Sequence, residues 1–371
     1  LVLDHSELIY QIAITNVDGI GPYLAKNLIA YCGSASEVFK QKKSDLIKIP
    51  GIGSLTASNI FKFQNFNSIE LEIELLAKHQ IQALFYLDKD YPQRLKHCDD
   101  CPLVLFYKGN TNLNSKRIIS IVGTRKSTFY GKQFTEELIQ SLKNYEVLVV
   151  SGLASGTDTN AHKYSLINNL PTIGVLGHGL GTIYPSSNHK LALEMCENGG
   201  LLTEYFYQTP GSKENFPKRN RIVAGMCDSL IVIESGIKGG SLITADLANQ
   251  YNRDVYALPG KINDPWSNGC NRLIHKNQAA IITDIEGLIH DLNLSANTYS
   301  KPQFIPDLFN GLDENELKIM KVLENEKMTI DALFYLFDFE MGQLAFILLN
   351  LELKNIVRVL PGKLYTLNHA M

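Results

Sequence analysis

The chain has 371 residues, 45% of them hydrophobic, with 35 lysines and arginines against 38 aspartates and glutamates and a formal net charge of -3. This composition excludes a disordered chain and supplies enough apolar mass for two or three domains, each with its own core. The small negative balance excludes nonspecific nucleic-acid binding by the whole surface, so any such contact has to be focused on a local patch.

No run reaches the length of a membrane-spanning helix, and the beginning of the chain lacks a charged start followed by an apolar stretch. Neither a membrane span nor a secretory signal is expected, and the chain reads as cytoplasmic. Six cysteines are scattered through the sequence, and only Cys98 and Cys101 form a close pair. With no second CxxC and no HxxxH partner, the spacing predicts reduced thiols, no metal and no cofactor.

In chain order, an internal repeat comes first: VDGIGPYLAKNLI at 17–29 and IPGIGSLTASNIF at 49–61. Gly19, Ile20 and Gly21 superpose on Gly51, Ile52 and Gly53, each a tight hairpin opening a helix. The pair resembles the helix-hairpin-helix family, in which such glycines let a sugar-phosphate backbone approach the hairpin amides without base reading. Flanking cations are few, Lys26 and Lys62, so a DNA contact and a structural copy both remain open. An amphipathic helix over Ser68–His79 closes a small all-α, SAM-like domain at residues 1–80.

Between Ile81 and Gly109 the chain reads as short strands and turns, with Val104–Tyr107 suited to the edge of the sheet that follows. From Arg117 to Asp284 the pattern is strand, glycine-bearing loop, helix. Strands are predicted at Ile118–Val122, Val147–Val150, Thr172–Leu176, Leu201–Thr203, Leu230–Glu234, Val255–Leu258 and Ala280–Ile282. Most are continuous apolar runs, the signature of a parallel sheet covered on both faces, and so of an α/β, doubly wound, Rossmann-like domain at 81–290. Ligands of such sheets bind beyond the carboxyl ends of the strands, where GTRKSTFYG, SGLASGTD, GHGLGTIYPSSN and SGIKGGSLITA lie. GxGxxG follows no strand at the required spacing, and Gly152–Asp158 lacks the lysine of a phosphate loop, so dinucleotide and ATP binding lose ground.

Within this domain Asn215–Gly225 reads NFPKRNRIVAG, with three cations in four residues. Pro217 suits a helix's first turn, and Ile222, Val223 and Met226 supply an apolar face. Lys218 and Arg219 then fall near the helix N-terminus, where cations oppose the dipole, so the segment is shaped to bind an anion such as phosphate. Phe216 has two open roles: a hydrophobic staple packed inward, or a solvent-facing surface on which an unpaired base stacks.

Residues 291–310 lose the periodic pattern and read as a linker. Residues 311–371 resume with helices at Glu314–Leu323, Thr329–Phe337 and Met341–Leu353, then strands at Ile356–Leu360 and Leu364–Leu367 turned by Pro361 and Gly362. That is a winged-helix arrangement. Its third helix carries only Lys354 as a cation and is apolar on several faces, which suits a protein contact better than a DNA groove.

Residues 117–284 resemble the DprA (Smf) family of bacterial DNA-processing proteins, with GTRKSTFYG, SGLASGTDTNAH, TIGVLGHGL, IYPSSN, FPKRNRIVAG, GGSLITADLA and GCNRLI in the family's order. The resemblance implies a non-enzymatic protein that binds single-stranded DNA, protects incoming strands, dimerises through the Rossmann-like domain and loads the RecA recombinase during natural transformation. It makes Arg125, Lys213, Phe216, Lys218, Arg219, Arg221 and Asn271 the expected DNA contacts, with Gly152, Gly156, Asn188 and Ser241 shaping the pocket. Asn188 and Asn271 also suit loop caps, and Asp158 and Ser241 helix N-caps. Thr157, Gly181 and Gly239 depart from the family's usual residues.

The competing function is a Rossmann-like nucleotide hydrolase resembling the lysine-decarboxylase-like proteins. Aligning Gly240 and Ser241 with that family's GT puts Thr244 where its catalytic Glu stands, leaving only Asp158, Glu204 or Glu234 as carboxylates nearby.

Overall fold

The computed structural model describes residues 5–294, 313–323, 327–337, 339–354, 356–360 and 364–367. The chain divides into two compact units, 1–297 and 298–371. From 295 onward the expected linker lies outside the described residues, as does the Pro361–Gly362 turn.

Six helices open the first unit: α1 (His5–Ile14), α2 (Pro22–Cys32), α3 (Ala35–Lys40), α4 (Lys43–Leu46), α5 (Ser54–Phe61) and α6 (Phe66–Lys78). The two copies of the repeat adopt the same geometry. Gly19 and Gly51 hold φ at 80° and 85°, where a side chain would be strained, and each turn feeds a helix through a glycine N-cap, Gly21 or Gly53. The Asn59 side chain of the second copy donates to the Asp18 carbonyl of the first at 2.9 Å. Helix α6 starts two residues before the predicted Ser68 and buries Ile69, Ile73 and Leu76 along one stripe.

Nine strands form one sheet: β1 (Gln82–Phe85), β2 (Val104–Gly109), β3 (Arg117–Val122), β4 (Val147–Ser151), β5 (Thr172–Val175), β6 (Gly199–Thr203), β7 (Ser229–Val232), β8 (Asp254–Ala257) and β9 (Ala280–Ile281). Their order is β1-β2-β6-β5-β4-β3-β7-β8-β9. Strands β6 through β9 run parallel, while β1 and β2 add an antiparallel edge. All seven predicted parallel strands form, with boundaries shifted by one or two residues.

The helices are α7 (Gln93–Lys96), α8 (Phe129–Leu142), α9 (Thr157–Ile167), α10 (His189–Glu197), α11 (Asn215–Met226), α12 (Gly240–Gln250), α13 (Asn268–His275) and α14 (Ile285–Asp291). Alternate residues of each central strand serve opposite faces. Ile119, Ile121, Val149 and Ile231 pack with α8, α9 and α14, whereas Ile118, Val122, Val150 and Leu230 pack with α11, α12 and α13. Burial on both faces is why these strands read as unbroken apolar runs. A third core joins the N-terminal helices to the sheet edge: Leu28, Leu46 and Ile69 pack with Phe85, Val104 and Phe106.

The chain winds outward from β3 to β6, then returns across the sheet to β7 and winds the other way. The switch point therefore lies between β3 and β7, and the returning segment contains α11. In such sheets this crevice is where ligands bind.

The second unit contains α15 (Glu314–Leu323), β10 (Met328–Thr329), α16 (Ile330–Leu336), α17 (Met341–Leu353), β11 (Val357–Leu360) and β12 (Leu364–Leu367), with the strands ordered β10-β12-β11. Leu333, Leu344, Leu348 and Leu351 fill its core. The sequence missed β10, whose two residues are too few to carry a pattern.

Candidate nucleic-acid interface

Beyond the carboxyl ends of β3, β4 and β7 opens a cleft of about 540 Å³. The loops after those strands wall it, and α11 and α12 point their N-termini into it. Arg125, Gly152, Lys213, Phe216, Arg219 and Ser241 of the sequence-predicted set line it together. Gly156, Asn188, Lys218, Arg221 and Asn271 do not.

Two glycines make the loops fit. Gly156 holds φ at 81° against the Thr124 carbonyl, and a Cβ there would also lie 2.6 Å from the Arg125 carbonyl carbon. Thr157, a departure from the family pattern, is fully buried and donates its backbone N–H to that Thr124 carbonyl at 3.1 Å. At Gly152 a Cβ would strike the Arg219 guanidinium. Only glycine lets the β4 loop lie over that arginine.

Arg219, expected as a DNA contact, is only 4% exposed and forms the floor of the cleft. Its Nη1 donates to the Val175 carbonyl, and its Nε meets no acceptor among the described residues. Burial pulls its pKa down, and the charge of Asp158 opposes that shift. Burial pushes the Asp158 carboxyl up, opposed by Arg219 and by the N–H groups of Gly152 and Ala154, which donate to it at 3.2 and 3.3 Å. Asp158 is the second residue of α9 and so orders the β4 loop instead of capping the helix.

Arg221 is separated from the cleft altogether. Its Nη2 donates to Glu204 Oε2 at 2.6 Å, and it lines a different cavity of about 360 Å³ beside Ile20, Gly21 and Phe206. Lys218 stays exposed outside the cleft. Two other expected site residues are spent on the protein's own polar groups. Asn188 donates to the Leu153 carbonyl at 3.0 Å and to Thr159 Oγ1 at 2.8 Å. Asn271 accepts from the Gly260 N–H at 3.2 Å and donates to its carbonyl at 3.0 Å. Ser241, also expected to cap, is instead the second residue of α12 and donates to Ser235 Oγ at 2.8 Å.

Phe216 takes neither of its two expected roles in pure form. It is the second residue of α11, past the N-cap where a staple would sit. Its half-buried ring packs on Gly177 just beyond β5, and the Arg125 guanidinium lies 5.8 Å from its centroid, within cation–π range. Tyr184 stands beside it, with ring centroids 5.6 Å apart. The loop bearing Tyr184 is held by buried His178, whose Nδ1–H donates to the Gly179 carbonyl at 2.9 Å and whose Nε2 accepts the Tyr184 N–H at 3.3 Å. Burial lowers the His178 pKa and keeps the ring neutral.

Sequence reasoning missed Tyr184, Asn220, Lys238, Ile243 and Trp266, all of which line the cleft. Lys238 was legible as a cation in SGIKGGSLITA, and Trp266 as the chain's lone tryptophan.

The carboxylates weighed for catalysis are committed elsewhere. Glu234, 2% exposed, accepts from Thr128 Oγ1 and from the Thr128 N–H at 2.9 Å, at the start of α8. Glu204 pairs with Arg221, and Asp158 faces Arg219. No group of three or more His, Cys, Asp or Glu able to hold a metal occurs among the described residues. Among these residues no single helix is long and apolar enough to cross a membrane.

The profile of the DNA recombination-mediator protein A family matches residues 82–293. A protein Smf from Synechocystis sp. is 30% identical over 97% of this chain and 99% of its own length. The X-ray structure of DNA processing protein A (DprA) from Streptococcus pneumoniae superposes with a TM-score of 0.67 at 32% identity, covering 76% of this chain and 97% of that one. DNA processing protein A from Helicobacter pylori, described for its single-stranded DNA binding mode, superposes with a TM-score of 0.53 at 33% identity, over 58% of this chain and 96% of that one.

Proposed function

The chain belongs to the DNA recombination-mediator protein A family, and from that premise we propose that it binds single-stranded DNA in the cleft over the switch point of its sheet. The observation that carries this is the convergence of Arg125, Lys213, Lys238 and the buried Arg219 with the Phe216 ring in one open cavity. Cations neutralise phosphates, and an aromatic face accepts any unpaired base, a combination suited to a single strand without sequence preference.

By the resemblance of its motifs, the chain also protects incoming strands in the cytoplasm, forms a homodimer through the Rossmann-like domain and loads RecA during transformation. The role is binding, not catalysis, which the engagement of Asp158, Glu204 and Glu234 by protein partners supports.

The helix-hairpin-helix reading of residues 1–80 fits a packing role better than a DNA contact. Lys26 Nζ donates to the carbonyls of Cys98 at 3.3 Å and Asp99 at 3.1 Å, so the first hairpin's cation ties it to the sheet domain. In the winged-helix reading of the second unit, Lys354 is bound by Glu316 at 2.8 Å, and α17 exposes Phe346, Leu349 and Leu353. That face suits protein better than phosphate.

The test is fluorescence anisotropy of labelled oligo-dT and a matched duplex across a salt series. Strong, salt-dependent binding to the single strand is expected. Equal binding of both forms, or none, would remove the proposal.

A further inference from the structure

Trp266 is the only tryptophan in the chain and lines the same cleft as Phe216. It is partly exposed, and among the described residues its indole enters no hydrogen bond, ring contact or ion pair. Its backbone, by contrast, is clamped. The Ser235 N–H donates to its carbonyl at 2.7 Å, and its own N–H donates to Asp264 Oδ1 at 3.1 Å. Ser267 Oγ holds the other oxygen of Asp264 at 2.7 Å, and the Gly269 N–H donates to the Ser235 carbonyl at 2.8 Å. A ring presented from so fixed a loop loses little conformational entropy when something stacks on it.

The two rings are anchored beyond different strands of the sheet. Phe216 packs on Gly177, just past β5, whereas Trp266 is tied to Ser235, just past β7. In the order β5-β4-β3-β7 those strands are three spacings apart, about 14 Å laterally. Arg125, on the loop after β3, lies within that interval.

We propose that Trp266 is a second stacking surface for single-stranded DNA, so that a strand is gripped at two points, on Phe216 beyond β5 and on the indole beyond β7, with its intervening phosphates on the cations of the cleft. This rests on the single-strand reading given above. Recognition at both points is sequence-tolerant because every base has a π face.

The test titrates the full chain with labelled oligo-dT, and with a strand of equal length whose abasic sites keep every phosphate, while following anisotropy and indole emission together. Indole emission is expected to change in step with the anisotropy rise on oligo-dT. Trp266→Ala should weaken oligo-dT binding by about tenfold, Trp266→Phe should retain most of the affinity, and neither should alter binding of the abasic strand. The emission readout uses the unsubstituted protein and so stands even if the alanine variant folds poorly. Rising anisotropy with unchanged indole emission, and a Trp266→Phe variant that loses as much as Trp266→Ala, would overturn the second stacking surface and leave the single-strand reading intact. An absence of any anisotropy change would remove both.

Discussion

Arg219 and Arg221 lie two residues apart on α11 and serve opposite sides of it. Arg219 reaches the end of β5 through the Val175 carbonyl, beneath the cleft, whereas Arg221 pairs with Glu204 beside another cavity. At 3.6 residues per turn, positions i and i+2 diverge by about 200° around the helix axis. Two arginines of one cationic motif therefore do different work.

The cleft cations and the paired arginine separate experimentally. Arg125→Ala and Lys213→Ala should each flatten the log–log salt dependence of single-strand binding by about 0.7 with an unchanged melting temperature. Arg221→Ala should leave that slope alone and lower the melting temperature, because Glu204 loses its ion pair. A flattened slope in Arg221→Ala with native stability would mean that it contacts DNA after all.

Arg219→Ala should damage both properties. It leaves Asp158 buried without the nearby charge that opposes its desolvation, which should lower stability, and it removes the cleft floor. Denaturant unfolding measures the first effect and anisotropy the second; a variant as stable as the parent would contradict the proposed charge coupling.

For Phe216→Ala the expectation is a loss of about 1–3 kcal/mol in single-strand affinity with residual duplex binding hardly changed. Packing on Gly177 makes a small fall in melting temperature expected as well. If both DNA forms weaken alike alongside a large stability loss, the ring's role is structural.

Purified protein should not turn over nucleoside monophosphates or ATP, since Thr244 contributes no carboxylate and Glu234 is spent on Thr128. Hydrolysis that co-purifies with the chain and vanishes in Glu234→Gln would reverse the assignment as a binding protein.

Acid should destabilise the fold through His162. This fully buried ring lies with Nδ1 2.7 Å from Thr172 Oγ1, which itself donates to the Val149 carbonyl at 3.1 Å, so Nδ1 carries the proton and Nε2 is bare. Burial, aided by the Arg219 charge, lowers its pKa to about 3. The unfolded chain then binds a proton near pH 6.5 that the native state refuses, and stability falls as pH drops from there toward about 3. Between pH 7 and pH 5 this amounts to about 2 kcal/mol. Asp158 and Glu204, with raised pKa values, act in the opposite direction, so the measurement is the difference in pH slope between the parent and His162→Gln in urea unfolding. Identical slopes would show that His162 does not titrate this way.

The parallel sheet was legible in the sequence because strands buried on both faces are apolar at nearly every position: Leu230–Val232 is wholly apolar, and in Ile118–Val122 only Ser120 is polar, its hydroxyl satisfied by the Val223 carbonyl. The glycines and cations of the loops were legible too, since residues such as Gly156 and Arg125 declare a backbone need and a charge without reference to neighbours. Depth and direction were not. Whether Arg219 faces water or Val175, whether Lys26 is free or bound to the Cys98 carbonyl, and that Trp266 joins Phe216 in one cleft all depend on segments far apart in the chain. Residue type and local spacing fix which element forms, but the environment of a side chain is set by what the sheet order brings beside it, and that order is a property of the whole chain.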